Sequence, residues 1–287
     1  MHNKTALITG ASSGIGYETA LGLAKKGAEV IITGRDEERT KRAVQKIIEQ
    51  SNNSRISHYV ADLRMVESAR WLAQTILDDH LRLDILINNV GAMSEKRIIT
   101  QEGFEATWAL NHLSAFTLTY LLLDLLKESG RKSAKSRIIN VSSSAHKGAI
   151  LDLAEVINNE KPYEKWRAYG QSKLANIMFT YALATRLEGH NVSANCLHPG
   201  VIGTGFIANI GKIERLLAPI IKIVLTSPEK GAKTSIYLAS SSEVENHSGN
   251  YFINEEPAFS SDYSYDEDLQ EQLWERSFYQ GIMAFEM

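Results

Sequence analysis

From Thr5 to Ile253 the chain alternates short runs rich in β-branched residues with longer stretches of helical period. "TALIT" (5–9) precedes a helical pattern over 14–26, and "AEVIIT" (28–33) precedes 36–50. "RISHYV" (55–60) precedes 64–80, and "LDILINN" (83–89) precedes a pattern over roughly 104–127. "SRIINVSS" (136–143), a long helix at 166–188, "NVSANCLHP" (191–199), a helix at 228–240 and "GNYFI" (249–253) complete the series. Strands that read as continuous apolar runs are buried on both faces, and crossover helices between them require a parallel sheet. Such crossovers are right-handed, so the pattern predicts a doubly wound α/β fold with a parallel sheet of about seven strands.

No repeat beyond this alternation and no low-complexity linker divides the 287 residues, so one domain over 1–287 is expected. Two segments break the rhythm, 144–166 and 203–227, and both follow strands at their carboxyl ends, where doubly wound sheets place their ligand crevice. The formal net charge of -3 and the absence of a Lys/Arg-rich run give no reason to expect nucleic acid as a partner. From Ser241 onward eleven acidic residues face one Arg, Arg276, which predicts a solvated acidic C-terminal helix. The one cysteine, Cys196, cannot form an intramolecular disulfide; it reads as a small core residue and points to a reducing, cytoplasmic setting. The run before Thr5 is too short for a signal peptide, and the longest apolar stretches fall well below the roughly 20 residues of a membrane span, so no transmembrane segment is expected.

The first strand runs into "TGASSGIG" (9–16), a glycine-rich turn opening a helix. Gly10, Gly14 and Gly16 permit a tight turn and close approach of a pyrophosphate to the helix N-terminus; Ser12, Ser13 and the Ile15 backbone lie in the same turn. The spacing is GxxxGxG rather than GxGxxG, yet its place after the first strand of an alternating chain predicts dinucleotide binding, the Rossmann variant of the fold. At the end of the second strand, "IITGRDEER" puts Gly34 where a carboxylate would select NAD, followed by Arg35, which suits a 2′-phosphate; NADP(H) is therefore expected. Asp36, the next residue, keeps NAD open as the alternative.

"YGQSK" (169–173) places Tyr169 and Lys173 one helical turn apart on the same face. A carbonyl that accepts hydride develops charge on oxygen, so a proton donor and a hydrogen-bond donor must wait there. A phenol with a nearby ammonium can serve as that acid, because the cation lowers a pKa that is ordinarily about 10.

With "TGASSGIG", "AD" (61–62), "NNVG" (88–91), "NVSS" (140–143), "YGQSK" and "HPGVIGT" (198–204) in order, the chain resembles the classical short-chain dehydrogenases/reductases over nearly its whole length. "LNHLSAF" (110–116), "SSSAH" (142–146) and "SGNYF" (248–252) make it most similar to the NADP(H)-using, retinol-dehydrogenase-like branch. That resemblance implies Asn111, Ser143, Tyr169 and Lys173 as the catalytic set, with Asn111 holding a water that links Lys173 to solvent. It implies cofactor contacts from Asp62, Leu63, Asn89, Gly91, Pro199, Gly200 and Thr204, and from Tyr169 and Lys173 themselves. Ser142 and Ser144 compete with Ser143 for its role, Asp62 could instead cap the following helix, and Val90 replaces the family's usual alanine. Branch members often carry an N-terminal membrane anchor, which is not expected here. His146 and His198 read as structural hydrogen-bonders, and no His/Cys spacing suggests a metal.

Phe206, Ile210, Ile213, Leu217 and Ile220 or Ile221 recur at helical spacing in the excursion after "HPG", a stripe read as an apolar lid over a lipophilic aldehyde, ketone or alcohol such as a retinoid-like or other terpenoid compound. A carbon–carbon double-bond reductase and a non-catalytic NADP(H)-sensing module remain as alternatives, and a homo-oligomer is compatible with the sequence.

Overall fold

A computed structural model describes residues 1–158, 161–200 and 227–285. Thr204 and all but the last residue of the expected lid lie outside them.

Eight strands form one sheet in the order β3-β2-β1-β4-β5-β6-β7-β8. They are β1 (Thr5–Ile8), β2 (Glu29–Gly34), β3 (Ile56–Val60), β4 (Ile85–Asn88), β5 (Ser136–Val141), β6 (Val192–His198), β7 (Asn250–Ile253) and β8 (Glu256–Ala258). The first seven are mutually parallel, as the apolar runs predict. The eighth pairs antiparallel with β7 through a tight reversal at Asn254 and Glu255, both at positive φ; at three residues it was too short to stand out as a strand in the sequence. Strand order reverses between β1 and β4, which opens the crevice at their carboxyl ends.

Alternate residues of each strand feed two separate cores. Ala6, Ile8, Val30, Ile32, Ile85 and Ile87 face α1 (Gly14–Lys25), α2 (Glu37–Ser51) and the helix Pro228–Ser240. Leu7, Ile31, Leu86, Ile138 and Ala194 face α3 (Val66–Asp79) and the helices Ser114–Leu121 and Lys165–Arg186. This period of two, with both faces covered, is why the strands carry so few polar residues.

The helix expected over 104–127 is broken. It runs as α4 (Ala106–Trp108), a π-helical turn at Ala109–Leu113, α5 (Ser114–Leu121) and, after a 53° bend, α6 (Leu123–Ser129). Together these pieces are apolar and long enough to match a bent span, but their residues are largely core; no single described helix is long and apolar enough to cross a membrane. α3 starts later than expected, at Val66, because Asp62 folds back on the Arg64 N–H; the Glu102 carboxylate instead accepts the N–H groups of Val66 and Glu67 at 2.7 and 2.8 Å.

Further along come α7 (Leu153–Asn158), α8 (Lys165–Arg186), α9 (Pro228–Ser240) and α10 (Glu267–Gly281). The acidic helix α10 is solvated on one side only. Glu267, Asp268, Glu271 and Glu275 are exposed, whereas Gln270, Leu273, Ser277 and Gln280 are buried, and Trp274 packs on Phe116 at 5.1 Å between ring centroids. The i, i+3, i+4 spacing of the buried set docks the helix on α5 and α8.

Candidate active site

The carboxyl ends of the strands surround a cavity of about 1450 Å³, wide enough for a dinucleotide with a second ligand beside it. Its floor begins at the glycine turn. Gly10 and Gly14 have φ of +64° and +61°, a backbone region open to glycine, and a Cβ on Gly16 would lie 2.7 Å from the Gly10 carbonyl oxygen. The Asn89 amide braces this turn from behind, donating to the Thr9 carbonyl at 2.8 Å, so Asn89 does turn-holding work in addition to lining the cavity. Ser13 precedes α1 without capping it, so no side chain takes the helix's first N–H groups, which are placed to receive an anion beside Ser12, Gly14 and Ile15. The turn therefore fits a pyrophosphate.

Next to it, a Cβ on Gly34 would strike Thr40 Oγ1 at 2.2 Å and press on Ser12, so no side chain fits where an NAD-selecting carboxylate would stand. Asp36 caps α2, its carboxylate accepting the Arg39 N–H at 2.7 Å, and is thereby committed. Arg35 and Arg39 both line the cavity here, and the Arg39 guanidinium donates to the Ser13 hydroxyl. Arg39 was not singled out from the sequence, although its i, i+4 spacing from Arg35 was there to be read. Asp62 and Leu63, expected as adenine contacts, line the cavity; Asp62 is paired with Arg64, and that guanidinium holds its carboxyl below the usual range.

The sequence-predicted reactive side chains converge from β5, the π-helical turn and α8. Tyr169 and Lys173 are both buried, at 9% and 3% exposure, and both border the cavity. The Lys173 ammonium lies 5.7 Å from the Tyr169 ring centroid and donates to the Val141 carbonyl at 3.0 Å. Burial pushes the Tyr169 phenol up to about 12, and its hydrogen bond with Ser143 pulls the other way. Burial also brings Lys173 down to about 8. The expected depression of the phenol by the ammonium is thus not what this geometry gives, because Lys173 bonds a main-chain carbonyl and desolvation dominates both groups.

Among the three serines, Ser142 is tied to the Lys173 carbonyl at 2.7 Å, while Ser144 is exposed and offers its N–H to His198 Nδ1 at 3.2 Å. Ser143 is the one bonded to Tyr169. Asn111 does not border the cavity; it lies behind Lys173, its Oδ1 accepting the Ala92 N–H at 2.8 Å and its Nδ2 donating to the Ala92 carbonyl and Ser172 Oγ, both at 2.9 Å. The clamp keeps Gly91 close: a Cβ there would sit 2.9 Å from Lys173 Nζ. Val90 stands against Gly10, within 3.2 Å of where a Cβ would be. Pro199 and Gly200, expected near the nicotinamide, line the cavity, with His198, which burial brings down to about 4, beside them. The described outer wall, Met93, Leu110, Ile150 and Trp166, is mostly apolar and was not foreseen. Among the described residues no cluster could hold a metal ion.

Comparison with known proteins agrees with this architecture. Residues 4–214 match the short chain dehydrogenase family model. The chain is 38% identical over 278 residues to human (Homo sapiens) polyprenol dehydrogenase, covering 96% of this chain and 84% of that one. It is 40% identical over 299 residues to human retinol dehydrogenase 14, covering 96% and 86%. Among solved structures, the Pseudomonas aeruginosa RhlG/NADP active-site complex superposes with a TM-score of 0.70 at 30% identity, over 92% of this chain and 97% of that one. The glycine turn, the Tyr169–Lys173 pair and these relationships place the protein in the short-chain dehydrogenase/reductase family, in its retinol-dehydrogenase-like branch.

Proposed function

We propose that the protein is an NADP(H)-dependent oxidoreductase that interconverts a lipophilic aldehyde or ketone with its alcohol. The observation that carries this reading is that Tyr169, hydrogen-bonded to Ser143 and flanked by Lys173, opens onto the same cavity as the glycine turn. When bound, a nicotinamide coenzyme supplies or takes up the hydride. In reduction, Tyr169 gives its hydroxyl proton to the developing oxyanion, and Ser143 steadies that oxygen by a hydrogen bond. Lys173, while protonated, offsets the charge left on the phenolate, and from the cavity wall it would hold the nicotinamide ribose of a bound coenzyme. Asn111 holds the Ala92 backbone beside Lys173, and a water linking the two would have the second lone pair of Asn111 Oδ1 to bind.

Preference for NADP(H) is supported by Gly34, which excludes a carboxylate, and by Arg35 and Arg39 beside Ser13. A lipophilic substrate is supported by Ile150 and Trp166 on the outer wall and by the names of the polyprenol and retinol dehydrogenases to which the chain is similar. The buried free thiol of Cys196 fits a reducing cytoplasmic compartment.

The test is to follow NADPH consumption with medium and long aldehydes and ketones. Tyr169→Phe should lower kcat at least 100-fold while coenzyme binding persists. Turnover by Tyr169→Phe equal to that of the wild type would remove the mechanism.

A further inference from the structure

Two histidines outside the proposed chemistry are fully buried, and each joins the C-terminal segment to the main-chain carbonyl of a site residue. His146 Nδ1 lies 2.6 Å from the Ser143 carbonyl oxygen, and its Nε2 accepts the Ser261 N–H at 3.1 Å. Both partners are main-chain groups with fixed roles, so the proton must reside on Nδ1. His112 repeats the pattern through one intermediary. Asn176 Nδ2 donates to the Asn111 carbonyl at 2.9 Å, which turns its Oδ1 toward His112 Nδ1 at 3.3 Å; His112 Nε2 then accepts from the Ser277 hydroxyl at 2.7 Å. Donors along both chains point from the C-terminal segment toward the site.

Regular structure fixes these two carbonyls only in part: besides the His146 side chain, that of Ser143 accepts the His146 N–H of the following 3-10 turn at 3.2 Å. Ser143 lies beyond β5, past the last ladder bond from the Ser142 N–H to the Leu197 carbonyl. Asn111 lies inside the π-helical turn. Yet Ser143 must keep its hydroxyl on Tyr169, and Asn111 must keep Gly91–Ala92 against Lys173. A side chain that reaches a reacting group needs placement within about 0.5 Å. We propose that the C-terminal segment from Ser260 to Gly281 is a positioning element of the active site, acting on Ser143 through His146 and on Asn111 through His112 and Asn176. This rests on the oxidoreductase reading given above. Ser261 and Ser277 are positioning residues that touch neither coenzyme nor substrate.

The test compares wild type with His146→Phe, His146→Asn, Ser277→Ala and Ser277→Thr, reading kcat and KM for NADPH together with hydrogen exchange at the Ala92 and Ala145 amides. Asn at position 146 retains a donor for the Ser143 carbonyl, and Thr at 277 retains the hydroxyl. His146→Phe should lower kcat at least tenfold with KM for NADPH within threefold, and His146→Asn should recover most of that loss. Ser277→Ala should lower kcat about threefold, and Ser277→Thr should match the wild type. Exchange should quicken at Ala145 in His146→Phe and at Ala92 in Ser277→Ala. Equal losses in the two His146 variants, or a wild-type kcat in both His146→Phe and Ser277→Ala, would overturn the proposal. If His146→Phe fails to fold, the Ser277 pair and His146→Asn decide. A wild type inert toward every carbonyl would count against the oxidoreductase reading alone; unchanged exchange in folded variants would still overturn the positioning role.

Discussion

Gly34 acts by omission: with Thr40 Oγ1 2.2 Å from where its Cβ would be, it leaves no room for a side chain at that point of the cavity. On the proposed NADP(H) reading, Arg39, whose guanidinium donates to the Ser13 hydroxyl, would meet the added phosphate. Arg39→Ala is expected to weaken NADPH binding about tenfold and NADH less than twofold, since a charge-assisted hydrogen bond is worth about 1.5–3 kcal/mol; coenzyme fluorescence titration measures both. Equal losses would dissociate Arg39 from the phosphate. Arg35 stood out in the sequence because it follows the strand directly, but the commitment of Asp36 to the α2 N-terminus needed coordinates. Lys173 and Tyr169 carry the pH dependence. With the ammonium at about 8 and the phenol at about 12, kcat/KM for NADPH in reduction should fall as pH rises past about 8, because Lys173 loses its proton first. A profile flat to pH 10 would contradict that order.

The π-helical turn at Ala109–Leu113 and helix α10 show how elements rather than single residues deliver the site. Helical periodicity over 104–127 was plain, but a widened turn does not alter the apolar pattern enough to be read, and it is that turn which brings Asn111 and His112 inward together. The acidic count likewise described only the wet side of α10; Leu273, Trp274 and Phe278 were set at helical spacing and dock on α5 and α8. His112, packed 4.5 Å from the Trp108 ring centroid, is held neutral, burial having brought it down to about 4. Its unfolded value near 6.5 lies above the folded one, so the unfolded chain binds the extra proton first. Stability is therefore full above about pH 6.5 and falls as pH drops toward 4, by about 3 kcal/mol in total from this group. Denaturant midpoints between pH 7 and 4.5 measure it, and His112→Phe, if folded, should flatten part of the slope. An unchanged slope in that variant would assign the acid sensitivity elsewhere.

Across the molecule, the cavity draws on the carboxyl ends of β1, β2, β4, β5 and β6, so a bound coenzyme would tie together strands from both halves of the sheet. At a hundredfold excess over Kd, NADPH should stabilise the fold by about 2.7 kcal/mol and raise Tm by roughly 5 °C or more, with NADH at the same concentration giving less; differential scanning fluorimetry reads both shifts. Equal shifts would argue against selection for the phosphate. The parallel strands, their order of appearance, the glycine turn and the Tyr169–Lys173 spacing were all legible along the chain, because backbone stiffness, hydrophobic period and helical geometry act over a few residues and leave local marks. The short antiparallel β8, the Glu102 cap on α3, the Arg39 contact with Ser13 and the histidine bridges to Ser143 and Asn111 were not. At three residues β8 leaves too short a pattern to read; the others are hydrogen bonds between residues up to 165 positions apart, and such long-range partners are chosen by how the layers pack, which no local pattern encodes.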